Sequence, residues 1–406
     1  VIIISKINPK DKYKHLSKFG DTLLQCVSCG DCREATDFTA NPPKWGVCAV
    51  RDHTSGFEPY FGRGKMQIIR SLWQGKLELS TDLAQVFFQC PTCNACAETC
   101  AYDMNNALLY EALRAELVDA GYDLEAHRMM NDSLMNHFNP YQRENDQKGA
   151  WIKGFGHKVK DVSREQAEIL YFVGCTAALT PEIQTIAINT IEILTKLRVD
   201  FALFGEREVC CGSVALRTGN IKAFNAAVSQ NYSLFKKSGI KTIITSCAGC
   251  YRTLKTDYAD HLKDLDIQVL HSLDFIIERI NDKAIRLKDL GITTTYHDPC
   301  HVGRNAAGNP LYDEPRRILS VISSLNEMKT IKENAKCCGA GGGVKKGFPD
   351  LALKVAISRV QEAEETGADY LVSICPFCYR NLSDAIKSSN SRLKMVDLIE
   401  LINKAL

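Results

Sequence analysis

The chain has 406 residues, 45% hydrophobic and 24% charged, with 50 Lys and Arg against 48 Asp and Glu. A net charge of +2 gives no global attraction to nucleic acid or anionic lipid. No apolar run approaches the ~18 residues of a membrane-spanning helix, and the opening Val-Ile-Ile-Ile-Ser is too short for the apolar core of a secretion signal. The expectation is a cytoplasmic protein of two or three domains, peripheral on the inner face of the membrane only through a partner. Its 18 cysteines then point to metal or redox chemistry rather than a disulfide framework.

Residues 1–140 are read as an α-helical module. Helices are expected over 101–138, where Leu109, Leu113, Leu117 and Val118 share one face, and Asn139-Pro140 ends the pattern. Eight cysteines lie here: Cys26, Cys29, Cys32, Cys48, Cys90, Cys93, Cys96 and Cys100. They form two C-x2-C-x2-C runs, the second closed by Cys100 after three residues. This resembles the bacterial two-cluster ferredoxin motif. Two-residue spacing lets one turn place three thiolates on one face of a cubane, and the fourth comes from the other run. Cys26, Cys29, Cys32 and Cys100 are therefore assigned to one [4Fe–4S] cluster, and Cys90, Cys93, Cys96 and Cys48 to the other. Two features depart from the motif: 15 residues separate Cys32 from Cys48, and Ala101 replaces its proline. A pair of zinc knuckles is the alternative, although zinc gains nothing from a third cysteine in each tight run.

Residues 141–166 are polar and contain glycine, and read as a linker whose Trp151 and Phe155 dock on a domain. From about Glu168 apolar runs alternate with helical patterns. Ile169–Val173, Phe201–Phe204 and Thr242–Thr245 are expected strands, and 181–198 and 221–237 expected helices. That alternation predicts a parallel α/β layer.

The pattern then repeats. Tyr171-Phe-Val-Gly-Cys175 corresponds to Tyr296-His-Asp-Pro-Cys300, Val209-Cys-Cys-Gly212 to Lys336-Cys-Cys-Gly339, and the Cys247-x2-Cys250 segment to the Cys375-x2-Cys378 segment. Residues 167–285 and 286–406 are thus expected to be two α/β copies packed as a pseudo-dimer. Copy one carries Cys175, Cys210, Cys211, Cys247 and Cys250; copy two carries Cys300, Cys337, Cys338, Cys375 and Cys378. Strand ends of an open parallel sheet share one edge, so the thiols of each copy can converge. Helix N-termini there favour thiolates and anionic clusters. Five thiolates are one too many for zinc or an ordinary cubane, and adjacent cysteines suit a centre in which one sulfur bridges two irons. Zinc in place of iron in one copy is the alternative.

The spacing Cys-x34-Cys-Cys-x35-Cys-x2-Cys, and x36 and x36 in copy two, resembles the CCG domain. Two such domains behind a two-cluster module resemble the heterodisulfide reductase D-subunit family over nearly the whole chain. The resemblance implies four [4Fe–4S] clusters, two cubane and two noncubane. It further implies cleavage of a disulfide of the coenzyme M–coenzyme B type, with electrons from a cytochrome b-type membrane partner. The same layout occurs in proteins that relay electrons between a flavoprotein dehydrogenase, of the lactate, glycolate or glycerol-3-phosphate type, and a quinone or cytochrome b partner. That relay is the rival reading; a zinc-stabilised scaffold is a third.

A disulfide reductase benefits from a proton donor. His301, beside Cys300, is the catalytic candidate, with His297 second; the bland reading of His297-Asp298-Pro299 is a hydrogen-bonded turn. Gly339 and Gly341–Gly343 lack a Walker lysine or GxGxxG context, so they are read as allowing close backbone approach to a cluster. The stretch Gly56–Met66, with Arg63 and Lys65, covers a cluster, meets a partner or forms a solvated loop. Lys345-Lys346 meets an anionic substrate or is surface charge.

Overall fold

Two all-parallel sheets stand side by side in the computed structural model, which describes residues 12–34, 48–154, 159–162, 164–306 and 308–406. The opening apolar segment and Phe155 lie outside those residues. The first sheet holds β1 (Lys160–Asp161), β2 (Ile169–Tyr171), β3 (Phe201–Leu203), β4 (Thr242–Thr245) and β5 (Gln268–His271), in the order β1-β3-β2-β4-β5. The second holds β6 (Thr293–Tyr296), β7 (Ser324–Leu325), β8 (Tyr370–Ser373) and β9 (Lys394–Asp397), in the order β7-β6-β8-β9. The central strands are short and β-branched, and are buried on both faces, as parallel sheets covered by helices require.

The repeat seen in the sequence is a repeat in space. Leu170 pairs with Ile243 and Tyr171 with Ile244; Thr295 pairs with Leu371 and Tyr296 with Val372. The two tyrosines are fully buried. The helices after β5 and β9 (Ser272–Asp282 and Leu398–Ala405) are both capped by the residue ending the strand. His271 accepts from Leu273 N at 3.2 Å, and Asp397 from Ile399 N at 3.0 Å. The copies pack through helices Gln184–Lys196 and Leu398–Ala405, where Asn403 donates to Asn189 Oδ1 at 2.8 Å and Lys196 donates to the Asn403 carbonyl at 3.0 Å. One continuous apolar core runs through both copies.

The stretch 141–166 is not a free linker. It carries the helix Gln147–Ala150 and β1, which adds to β3 at the edge of the first sheet. Lys148 is buried and donates to the Glu208 carbonyl at 2.6 Å. Within it Asn145 and Lys148 donate to the Glu206 and Glu208 carbonyls of copy one, while Gln142, Arg143, Glu144, Asp146 and Gln147 are exposed. Trp151 packs against the α/β core.

The N-terminal part is helical, with a core of its own. Its main helices are Gly62–Trp73, Thr81–Phe88, Asn106–Asp119 and Glu125–His137. Leu109, Leu113 and Leu117 are buried in that core as their spacing predicts, with Val118 packed at its edge.

Candidate functional site

Two sulfur-lined hollows lie in the N-terminal module. Cys26, Cys29, Cys32 and Cys100 line one, with Arg63 and Tyr102 at its wall. Cys48, Cys90, Cys93 and Cys96 line the other, with Lys65 and Tyr110. In each, three cysteines of one run meet a fourth from elsewhere in the chain. Cys29 is exposed, and so are Val27 and Tyr102 beside it. The other hollow lies deep: burial pushes the Cys48 thiol up to about 11 and lowers the Lys65 ammonium to about 8, against the pull of Cys90 and Cys48.

The segment Gly56–Met66 runs into a helix rather than a solvated loop. Lys65 is buried and donates to the Pro59 carbonyl at 2.8 Å. Gly62 and Gly64 permit the approach: a Cβ on Gly62 would stand 2.5 Å from the Cys32 carbonyl, and one on Gly64 1.9 Å from that of Glu58.

Cys175, Cys247, Cys300 and Cys375 follow the carboxyl ends of β2, β4, β6 and β8 closely, and the Cys-Cys pairs lie in the loops beyond β3 and β7. In copy one, Cys175 opens the helix Cys175–Leu179, and Cys247 is the N-cap of Ala248–Arg252 with Cys250 in its first turn. In copy two, Cys375 is the N-cap of Pro376–Ser388, with Cys378 in its first turn. Each Cys-x2-Cys pair therefore points sulfur at a helix N-terminus, where free N–H groups and the dipole favour negative charge.

The glycine of each Cys-Cys-Gly turn has a structural reason. Gly212 (φ 78°) and Gly339 (φ 82°) are left-handed, and their N–H groups donate to Cys210 Sγ at 3.5 Å and Cys337 Sγ at 3.3 Å. The turns are pinned from behind. Tyr258 donates to the Cys211 carbonyl at 2.9 Å and Asn231 to that of Cys210 at 3.0 Å; Asn381 donates to that of Cys338 at 2.6 Å. Cys211 and Cys250 sulfurs are 3.4 Å apart.

Both sets open on one cleft of about 500 Å³ between the copies. Cys175, Cys211 and Cys247 line it from one side and Cys300, Cys338 and Cys375 from the other. His301 lies between them. Its Nε2 accepts from Arg252 at 3.4 Å, which leaves the proton on Nδ1. Burial, then Arg252 and Arg217, hold its pKa well below the ordinary value, so at neutral pH it carries one proton and acts as an N–H donor, not as an imidazolium. Lys345 and Lys346 also line the cleft; Lys345 is paired with Asp384 at 2.7 Å. His297 is buried outside the cleft wall. One of its ring nitrogens forms with the sulfurs of Cys338 and Cys378 the single close His–Cys group among the described residues, within 4.8 Å, and Arg359 donates to its Nδ1 at 3.3 Å. Copy one has Phe172 at that position, so the copies are not chemically identical.

These donor sets fit iron–sulfur clusters. Burial and then Cys90 push Cys96 well above the ordinary thiol range. Cys175, Cys250 and Cys378 are pushed up by hydrogen bonding to Cys210, Cys211 and Cys338, and then by burial. Buried sulfurs crowded in this way resist carrying negative charge side by side, and bound iron would supply the positive charge that offsets it.

Arg114 was invisible to pattern reading. It is fully buried in helix Asn106–Asp119 and donates to four carbonyls: Phe87, Cys90, Arg217 and Gly342. One side chain thus ties the N-terminal module to both copies. The glycines 341–343 serve the same junction. A Cβ on Gly341 would stand 2.8 Å from the Pro91 carbonyl, on Gly342 2.8 Å from the Cys90 carbonyl, and on Gly343 2.5 Å from Thr218. The close approach expected of them is to the module's Cys90-Pro91 turn and to copy one.

The CCG cysteine-rich domain family matches the chain twice, at residues 169–255 and 294–383. The D subunit of the dihydromethanophenazine:CoB–CoM heterodisulfide reductase of Methanosarcina barkeri is 36% identical over 95% of this chain and 94% of its own length. The B subunit of the fumarate reductase (CoM/CoB) of Methanothermobacter marburgensis is 29% identical over 99% of this chain and 75% of its own. Among solved structures, a hypothetical protein from Helicobacter pylori aligns over 98% of this chain and 76% of its own, with a TM-score of 0.54 and 11% identity, a likeness of fold. No helix among the described residues is long and apolar enough to cross a membrane.

Proposed function

The chain belongs to the heterodisulfide reductase D-subunit family, as an iron–sulfur oxidoreductase, and we propose that it reduces a disulfide of the CoM–S–S–CoB type in the cleft between its CCG domains. The observation that carries this is the convergence of nine of the ten CCG cysteines, five from copy one and four from copy two, on one cleft. The hollows of residues 26–100 hold two cubane clusters, and each CCG set holds a noncubane [4Fe–4S] cluster.

The reaction takes two electrons and two protons to convert one disulfide into two thiols. The clusters supply the electrons, one at a time. The two protons come from solvent entering the open cleft, and the protein's residues stabilise and orient the sulfurs that receive them. The helix N-termini at Cys247 and Cys375 stabilise negative charge as the S–S bond opens. His301 holds a proton on Nδ1, where it donates a hydrogen bond to a departing sulfur. The apolar core behind the cleft keeps water from the back of each sulfur set. Electrons enter at the exposed Cys29 side, from a membrane-bound partner of the cytochrome b type.

The same exposed edge supports a second reading, in which the chain relays electrons between a flavoprotein and a quinone or cytochrome partner. Anaerobic purification with iron, zinc and sulfide analysis, followed by disulfide-dependent oxidation of a reduced dye, separates the two. Disulfide reduction requires about sixteen iron and turnover with disulfide. A load near eight iron with stoichiometric zinc, or dye oxidation indifferent to disulfide, sinks it.

A further inference from the structure

We propose that Arg304 is a positioning residue whose fixed charge sets the redox level where the N-terminal module meets copy two, and that electrons cross into the α/β half at this junction. The inference rests on reading the cysteine sets as iron–sulfur centres.

Arg304 is wedged between the two. Its Nε donates to the Cys93 carbonyl at 3.0 Å, and Nη1 to the carbonyls of Glu333 at 2.9 Å and Ala335 at 2.6 Å. Its Nη2 is buried and has no hydrogen-bond partner. The next residue, Asn305, donates to the Thr92 carbonyl at 3.3 Å, which fixes the segment against the module. Cys93, a ligand candidate of the deep cubane, and Cys337 of copy two lie near enough to bear on each other's ionisation. One guanidinium thus bridges the backbone of Cys93 and that of Ala335, two residues before Cys337, so the two sulfur sets are neighbours at this point.

What Arg304 lacks is as informative. It makes no salt bridge among the described residues, whereas Arg217 is paired with Glu111 and Asp257, and Arg316 with Asp298 and Glu327. A half-buried guanidinium whose Nη2 is shut off from water, with no carboxylate in salt-bridge range, is costly unless other negative charge faces it. The charges that bear on it most are the sulfurs of Cys93, Cys300 and Cys337. Copy one, aligned on Cys175 and Cys300, has Leu179 at this position. The charge is thus specific to the copy whose sulfur meets the module.

Adding an electron to either centre makes it more negative, and a fixed cation in a poorly screened wall stabilises the reduced form of both. In the crossing step the deep cubane is oxidised by one electron and the copy-two centre reduced by one. With Arg304 in place the two levels stay within reach of the outer cubane that feeds them.

The test is an EPR-monitored redox titration of the full chain, purified anaerobically, with iron counted in each preparation. In Arg304→Gln the midpoints of the deep cubane and the copy-two centre move to lower potential, and the outer cubane of Cys26, Cys29, Cys32 and Cys100 does not move. Arg304→Lys, which keeps the charge, restores most of the shift. Unmoved midpoints in an iron-loaded Arg304→Gln chain overturn the inference alone. If that variant loses iron, Arg304→Lys carries the test: midpoints near wild type support the proposal and a full fall overturns it. A wild-type chain without iron in copy two overturns the underlying reading, and the inference with it.

Discussion

Cys247 and Cys375 line one cleft from the two sides of the boundary between the CCG domains, close enough that each bears on the other's ionisation. Each is the N-cap of a helix, so two helix N-termini meet where the two sulfur sets meet. A disulfide lying there has one positive helix end behind each of its sulfurs. Neither domain alone offers that arrangement.

The crossing of ligands in the N-terminal module is open to a direct test. Cys100 follows Cys96 in sequence but lines the hollow of Cys26, Cys29 and Cys32. Cys100→Ser is expected to alter the EPR signal and midpoint of that centre while leaving the Cys48, Cys90, Cys93 and Cys96 signal as in wild type. A change confined to the second signal contradicts the crossing.

Gly339→Ala probes the Cys-Cys-Gly turn. The new methyl would stand 2.7 Å from Val355 Cβ, on a residue at φ 82°. Left-handed strain and overpacking together predict a loss of about 2–4 kcal/mol, with release of iron from copy two. Thermal melting and an iron count check this. A variant that melts with wild type and keeps its iron refutes the packing argument.

Asp274 gives the fold a pH dependence away from the sulfur sites. Burial, reinforced by Glu314 and opposed by Lys255, raises its carboxyl from 3.8 to about 6. The folded state thus prefers the protonated acid. Its contribution is full below about pH 4 and is lost as pH rises through 6, at a cost on the order of 2 kcal/mol. Asp274→Asn removes that loss. The variant should unfold at higher urea than wild type at pH 8, with a smaller gain at pH 5. Equal gains at both pH values contradict the assignment.

The parts of this molecule that the sequence made legible are those with a strong period or a chemical spacing. Apolar runs such as Ile169–Tyr171 have one stable home in a doubly covered parallel sheet, and the repeated cysteine spacing marks equivalent strand ends in both copies. What stayed hidden depends on contacts distant in sequence. β1 is two polar residues, Lys160-Asp161, with no alternation to detect; it exists because β3 offers an edge. Arg114 sits among helix formers and reads as a solvated charge. Only the carbonyls of Arg217 and Gly342, brought from 103 and 228 residues away, make it a buried clamp. Arg304 likewise shows its place only when Cys93 lies against copy two.

The central claim is that disulfide is reduced in the cleft by centres of both copies, and a single turnover tests it most directly. The anaerobic chain is reduced to completion, freed of reductant and mixed with excess disulfide while EPR and thiol release are followed together. The account predicts two thiols released for every two electrons lost from the clusters, and none from Cys211→Ala or Cys338→Ala chains whose cubane signals remain reducible. Clusters that stay reduced in the presence of disulfide, or a Cys338→Ala chain that releases thiol at the wild-type rate, would contradict it.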